Sequence, residues 1–161
     1  MREPRSLTVS EVVDGCAPPN DELRTTWLRR LRDWSSVGLL DVYARHREGS
    51  GRHRLYARDA VYVAAVLLRM ADLGVPIGTL TPIARLIQKP NRTNLEQAFR
   101  RFWSDVKKVA GEPHAPPAYL AIRQVPSEEK TYYRYGREPI AIVDDAAWVI
   151  INLTAVFVAI R

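Results

Sequence analysis

Leu7-Thr8-Val9-Ser10-Glu11-Val12-Val13, then Arg30-Leu31-Arg32-Asp33-Trp34-Ser35-Ser36-Val37-Gly38-Leu39-Leu40, then Gly51-Arg52-His53-Arg54-Leu55-Tyr56 and finally Leu73-Gly74-Val75-Pro76-Ile77 set out the first half of the chain. Thr8 or Ser10 suits the cap of a short first helix with Val9, Val12 and Val13 inward. Gly15-Cys16-Ala17-Pro18-Pro19 breaks that helix. A cap at Asn20 or Asp21 opens a second, where Leu23, Trp27, Leu31, Trp34 and Val37 recur at three- and four-residue steps until Gly38 stops it. Asp41 to Tyr56 predicts two short strands around Glu48-Gly49-Ser50-Gly51, with Leu40 and Val42 paired to Leu55 and Tyr56. A third helix is expected from Arg58 or Asp59 to Gly74-Val75-Pro76, and a fourth from Ile77 to Gln88.

The second half changes character. Thr93 opens a fifth helix to about Val109, with Leu95, Phe99, Phe102, Trp103 and Val106 as one stripe. Gly111-Glu112-Pro113-His114-Ala115-Pro116-Pro117 reads as a linker. Tyr119 to Val125, Lys130 to Tyr135 and Pro139 to Val143 read as strands. Trp148 to Asn152 is either a fourth strand leading to a helix from Thr154, or the start of one helix to Ile160. The expected class is therefore α+β, with a mainly helical N-terminal domain over 1–90, a connecting helix over 91–112, and a small β-containing domain over 118–161.

Charge is unevenly spread. The chain of 161 residues has a net charge of +6 and a pI near 9.8. Acids and bases balance over residues 1–40. Residues 43–58 instead set Arg45, Arg47, Arg52, Arg54 and Arg58 against Glu48 alone, with His46 and His53 between. A short cationic loop of this kind is better placed to meet phosphate than to bury itself, and arginine in place of lysine suits planar, two-pronged contacts.

In order and spacing these segments resemble the DNA-binding domain of the MerR family. The Arg30–Leu40 segment matches the family's Thr-Leu-Arg-Tyr-Tyr-Glu-Arg-x-Gly-Leu-Leu, and Arg52-His53-Arg54-Leu55-Tyr56 its Gly-Tyr-Arg-x-Tyr wing. Leu73-Gly74-Val75-Pro76-Ile77 matches the hinge into the next helix, and Leu7 to Val12 the first helix. Two departures are the longer turn through Pro18-Pro19 and Asp33-Trp34 in place of Tyr-Tyr. The resemblance implies a winged helix-turn-helix and a cytoplasmic, nucleoid-associated regulator that reads double-stranded DNA as a homodimer or higher homo-oligomer, with RNA polymerase as a further contact. By matched position it marks Arg32 and Arg54 as DNA contacts. Arg24, Thr25 and Arg29 join them as groove-facing residues, and Arg45, Arg47, Arg52, His53 and Tyr56 on their chemistry in the hairpin. An architectural or recombination accessory protein, or an adaptor whose basic hairpin meets an acidic partner, are the competing expectations.

Other chemistries find little in the sequence. Cys16 is the only cysteine, so neither an internal disulfide nor a paired-cysteine zinc site is expected. Asp144-Asp145 suits a turn or cap better than acid/base catalysis, and no enzyme, cofactor or metal is predicted. Ala146 to Ile160, the most apolar run, falls short of the roughly 20 residues a membrane span needs. Tyr119, Tyr132, Tyr133, Tyr135 and Trp148 are candidates for an aromatic effector pocket. The stripe of the fifth helix is a candidate dimer seam.

Overall fold

A computed structural model describes residues 6–42, 44–48, 51–89, 93–109, 111–112, 114–125, 130–138 and 148–160. Among these residues the chain forms six helices and two antiparallel sheets, an α+β fold. It divides into two compact units, Met1–Leu68 with Ala159–Arg161, and Arg69–Val158. Among the described residues no helix is long and apolar enough to cross a membrane.

In the first unit, α1 (Val9–Gly15) starts at Thr8, where a reciprocal pair of bonds satisfies two free helix-end groups. The Glu11 amide donates to Thr8 Oγ1 at 3.3 Å and the Thr8 amide to Glu11 Oε2 at 2.8 Å. Asn20 caps α2 (Asp21–Ser36) by accepting from the Leu23 amide at 2.8 Å. Between them Ala17 takes a positive φ of 51°, closing the turn before Pro18. Gly38 at φ 75° lets the Leu39 amide reach back to the Trp34 carbonyl at 2.8 Å and ends α2. Trp27, Leu31 and Trp34 of α2 are buried in the core, as their spacing predicts.

The hairpin pairs β1 (Ala44–Glu48) with β2 (Gly51–Leu55), Ala44 facing Leu55 and Glu48 facing Gly51. This corrects the expected strand ends. Leu40 and Val42 stay outside the ladder, and Tyr56 bridges to Leu7 instead, through amide-to-carbonyl bonds of 2.8 and 2.9 Å.

The C-terminus of α1 packs against α3 (Ala60–Asp72) through Gly15. A methyl group there would sit 2.9 Å from Val61 Cγ1 and 3.3 Å from Val61 Cγ2. Val61 is buried and stiff at χ1, so it cannot yield easily. Gly15→Ala gains some helix propensity but overpacks this contact. We expect a net loss of about 1–2 kcal/mol in thermal or urea unfolding. A second change, Val61→Ala, should recover part of what Gly15→Ala removes, and simple additivity of the two would rule out the clash.

The second unit begins at Arg69, within the last turn of α3. Gly74 at φ 83° lets its own amide reach Ala71 and the Val75 amide reach Met70, both at 3.0 Å. Then come α4 (Ile77–Gln88), α5 (Asn94–Val109), the strands β3 (Tyr119–Val125), β4 (Lys130–Gly136) and β5 (Val149–Asn152), and α6 (Leu153–Val158). The sheet order is β4-β3-β5, all antiparallel. Leu120 and Ile122 of β3 and Ile151 of β5 are buried on one face, and α5 supplies Phe99, Trp103 and Val106 to the same core. Phe99 meets Tyr135 edge-on at 5.1 Å, and Trp103 meets Phe157 at 5.0 Å.

Two expectations change here, and one open alternative is settled. The α5 stripe that read as a dimer seam is used within its own unit, against the sheet and α6. Trp148 to Ile160 is not one helix. It is strand then helix, because the Asn152 side chain accepts from the Ala155 amide at 3.0 Å and caps α6. The stretch read as a linker lies inside this unit, where the Pro116 carbonyl accepts from Arg137 and Thr154, each at 3.0 Å. The expected strand over Pro139 to Val143 lies outside the described residues.

Candidate nucleic-acid interface

The helical period sorts the side chains of α2. Trp27, Leu31 and Trp34 take the buried side. Thr25, Arg29, Arg32 and Ser36 follow one another at steps of four, three and four, which lines them up on the opposite side, and all four are exposed. The Thr25 hydroxyl donates back to the Asp21 carbonyl at 2.9 Å. Arg29 and Arg32 are the two cations of the row.

Arg32 and Arg54 are brought together. Arg54 Nη1 donates to the Arg32 backbone carbonyl at 2.8 Å, placing a cation near the negative, C-terminal end of α2. The bond ties hairpin to helix. The two arginines, with Thr8, Val9, Asp33, Ser36 and Tyr56, line an open groove of about 470 Å³. Tyr56 contributes little exposed surface to it. Only 1% of the residue is accessible, and its hydroxyl shares a 2.7 Å hydrogen bond with the buried Ser35 Oγ. Of the two readings Tyr56 invites, a DNA contact or a core residue, its burial fits the core one.

The register of the hairpin adds something the sequence alone withheld. Arg45 faces Arg54 and Arg47 faces Arg52, directly across the ladder. Opposite partners share a face and alternate positions repeat it, so these four arginine positions fall on one face. His46 and His53 are paired on the other, which separates His53 from the arginines it was grouped with. Like charges set opposite each other destabilise a sheet. An anion lying along that face would remove the penalty.

Arg24 departs from the exposed row. It flanks the buried side of α2 and reaches back across the turn to α1. Its Nε lies 2.6 Å from Asp14 Oδ1, and its Nη2 lies 2.8 Å from Ser10 Oγ and 3.1 Å from Asp14 Oδ2. The Arg24 hydrogen bond holds the Asp14 carboxyl below the ordinary carboxylate range; burial opposes it, and the Arg24 charge and the Ser10 hydroxyl add smaller pulls downward. A depressed folded-state pKa stabilises the fold above the unfolded value, and that stability is lost as pH falls through the folded one. We expect a small, salt-sensitive loss of stability as acid protonates Asp14, measured by thermal unfolding across an acid series. Arg24→Ala should flatten that dependence; an unchanged acid profile would discount the pair.

The five candidates for an effector pocket do not meet. Tyr133 and Tyr135 lie on the α5 side of the sheet, with Phe99 6.3 Å from Tyr133 and Phe102 4.9 Å from Tyr135. Burial, with the charge of Glu96 and neighbouring Tyr135 adding to it, holds the Tyr133 hydroxyl above its ordinary pKa. Strand alternation and register put Tyr119, Tyr132 and Trp148 on the opposite side. Among the described residues no three His, Cys, Asp or Glu side chains gather as a metal site would need. No protein-family model matches the chain, and no curated protein does.

Proposed function

We propose that the protein binds duplex DNA in a sequence-specific manner and regulates transcription. In this reading α1 and α2 form a helix-turn-helix of the MerR type. The exposed row of α2 enters the major groove, where Arg29 and Arg32 reach base edges. The hairpin acts as a wing whose arginines follow the phosphate backbone or a minor groove. The observation that carries the reading is the ladder register that sets four arginine positions on one face of the hairpin, with the hairpin tied to the exposed row of α2 by the bond from Arg54 to the Arg32 carbonyl. Recognition row and phosphate-binding face are thereby held in one piece. Arg24, occupied by Asp14, anchors the two helices instead of reading DNA. Tyr56 supports the hairpin from beneath.

The test is selection from a pool of random duplexes by the purified protein over a salt series, followed by sequencing. A recovered motif with affinity falling steeply in salt is the expected result, and an inverted repeat would indicate a dimer. Absence of duplex binding even at low salt would overturn the reading.

A further inference from the structure

The face of the β4-β3-β5 sheet turned away from α5 carries an ordered array of cations and rings. Arg123 Cζ lies 5.8 Å from the centre of the Tyr132 ring and 6.0 Å from that of Trp148. Arg134 Cζ lies 5.2 Å from Trp148. Tyr132 is 42% exposed and Ile150, beside them, 39%. Arg134 and Lys130 are exposed too. Large rings on the accessible side of a sheet cost solvation, and the helix that buries the opposite side does not cover them.

We propose that this face binds single-stranded nucleic acid. Bases stack on Tyr132, on Trp148 and on the guanidinium planes beside them, while Arg123, Arg134 and Lys130 meet the backbone phosphates. Guanidiniums already stacked on rings are partly ordered, which lowers the rotamer entropy lost on binding. The ring faces decide between partners. An acidic peptide would use the cations and make no stacking contact of its own with the exposed rings. A duplex presents base edges and keeps its base faces stacked inside. Only an unpaired strand offers both a flat π-surface and a phosphate at each step. None of these residues belongs to the α2 row or the hairpin, so the inference stands apart from the duplex reading.

The experiment is fluorescence anisotropy of the full chain with labelled oligothymidylate and oligouridylate single strands at low salt. We expect both to bind, and their ratio reports any use of the ribose hydroxyl. Tyr132→Ala should weaken strand binding about tenfold, Tyr132→Phe should retain it, and Arg134→Ala should weaken it with a shallower salt dependence. These positions are exposed, so circular dichroism and random-duplex binding should not change. Three results would overturn the proposal. The first is no strand binding at low salt. The second is strand binding that falls with Arg32→Ala but not with Tyr132→Ala. The third is displacement of the strand by poly-glutamate as effective as by unlabelled strand, which would assign the face to an acidic protein.

Discussion

Tyr56→Ala is expected to lose about 3–5 kcal/mol of stability, the range for removing a large ring from a packed core. For a small domain that is a large share of the total. The backbone bridge from Tyr56 to Leu7 does not depend on the side chain, so the loss comes from the ring. That ring is buried among the first unit's core residues, and its hydroxyl shares a hydrogen bond with Ser35 Oγ. Ser35 also donates to the Leu31 carbonyl at 2.6 Å and keeps that bond when the phenol is gone. Tyr56→Phe should therefore cost only about 1 kcal/mol. Thermal and urea unfolding of the two variants separates packing from hydrogen bonding. An alanine variant as stable as the phenylalanine one would mean the ring is not packed as described. A phosphate contact predicts the reverse pattern: stability nearly unchanged and DNA affinity reduced equally by both substitutions.

The second large effect concerns the exposed arginines. If Arg32 reads a base, Arg32→Ala should cost about 1–3 kcal/mol of duplex affinity and relax preference at one base pair. Arg54→Ala should weaken all duplexes alike and reduce the salt slope by about one contact. Reversing both charges replaces two attractions with two repulsions, and the Arg32→Glu, Arg54→Glu double variant should lose at least about a hundredfold in affinity at low salt. Arg54 holds the Arg32 carbonyl, so the single effects need not add, and a double-mutant cycle with alanine measures the coupling. Anisotropy with the selected duplex supplies the numbers. If the double reversal binds as tightly as the parent, α2 and the hairpin do not form the interface.

Local signals carried much of the fold. Thr8, Asn20, Gly38 and Gly74 act through a few neighbouring atoms, and each helix end they implied lies within a residue or two of the one observed. The α2 row was legible for the same reason, since a period of 3.6 fixes which residues share a side. What the sequence could not supply was partnership between distant segments. Nothing near Arg24 says that Asp14 will return across a turn to claim it. Nothing near Tyr56 says that Leu7, and not Val42, lies beside it. Tyr132 and Tyr133 are neighbours in sequence and sit on opposite sides of a sheet. Alternation hints at this, but the join of Tyr132 to Arg123 and Trp148 needs the register of both ladders.

The crossed arginine pairs of the hairpin make ionic strength act in two opposing directions. Dissolved salt screens Arg45 from Arg54 and Arg47 from Arg52, which steadies the unbound ladder. The same salt competes with any polyanion for those positions. If this face binds a polyanion, part of the free energy of association is relief of repulsion between these opposed positions, and that part shrinks as the buffer relieves it first. A count of phosphate contacts taken from the salt slope will include this internal contribution. On the duplex-binding reading, the stability of the hairpin and its affinity for a polyanion are then linked quantities, and neither has a fixed value apart from the ionic strength.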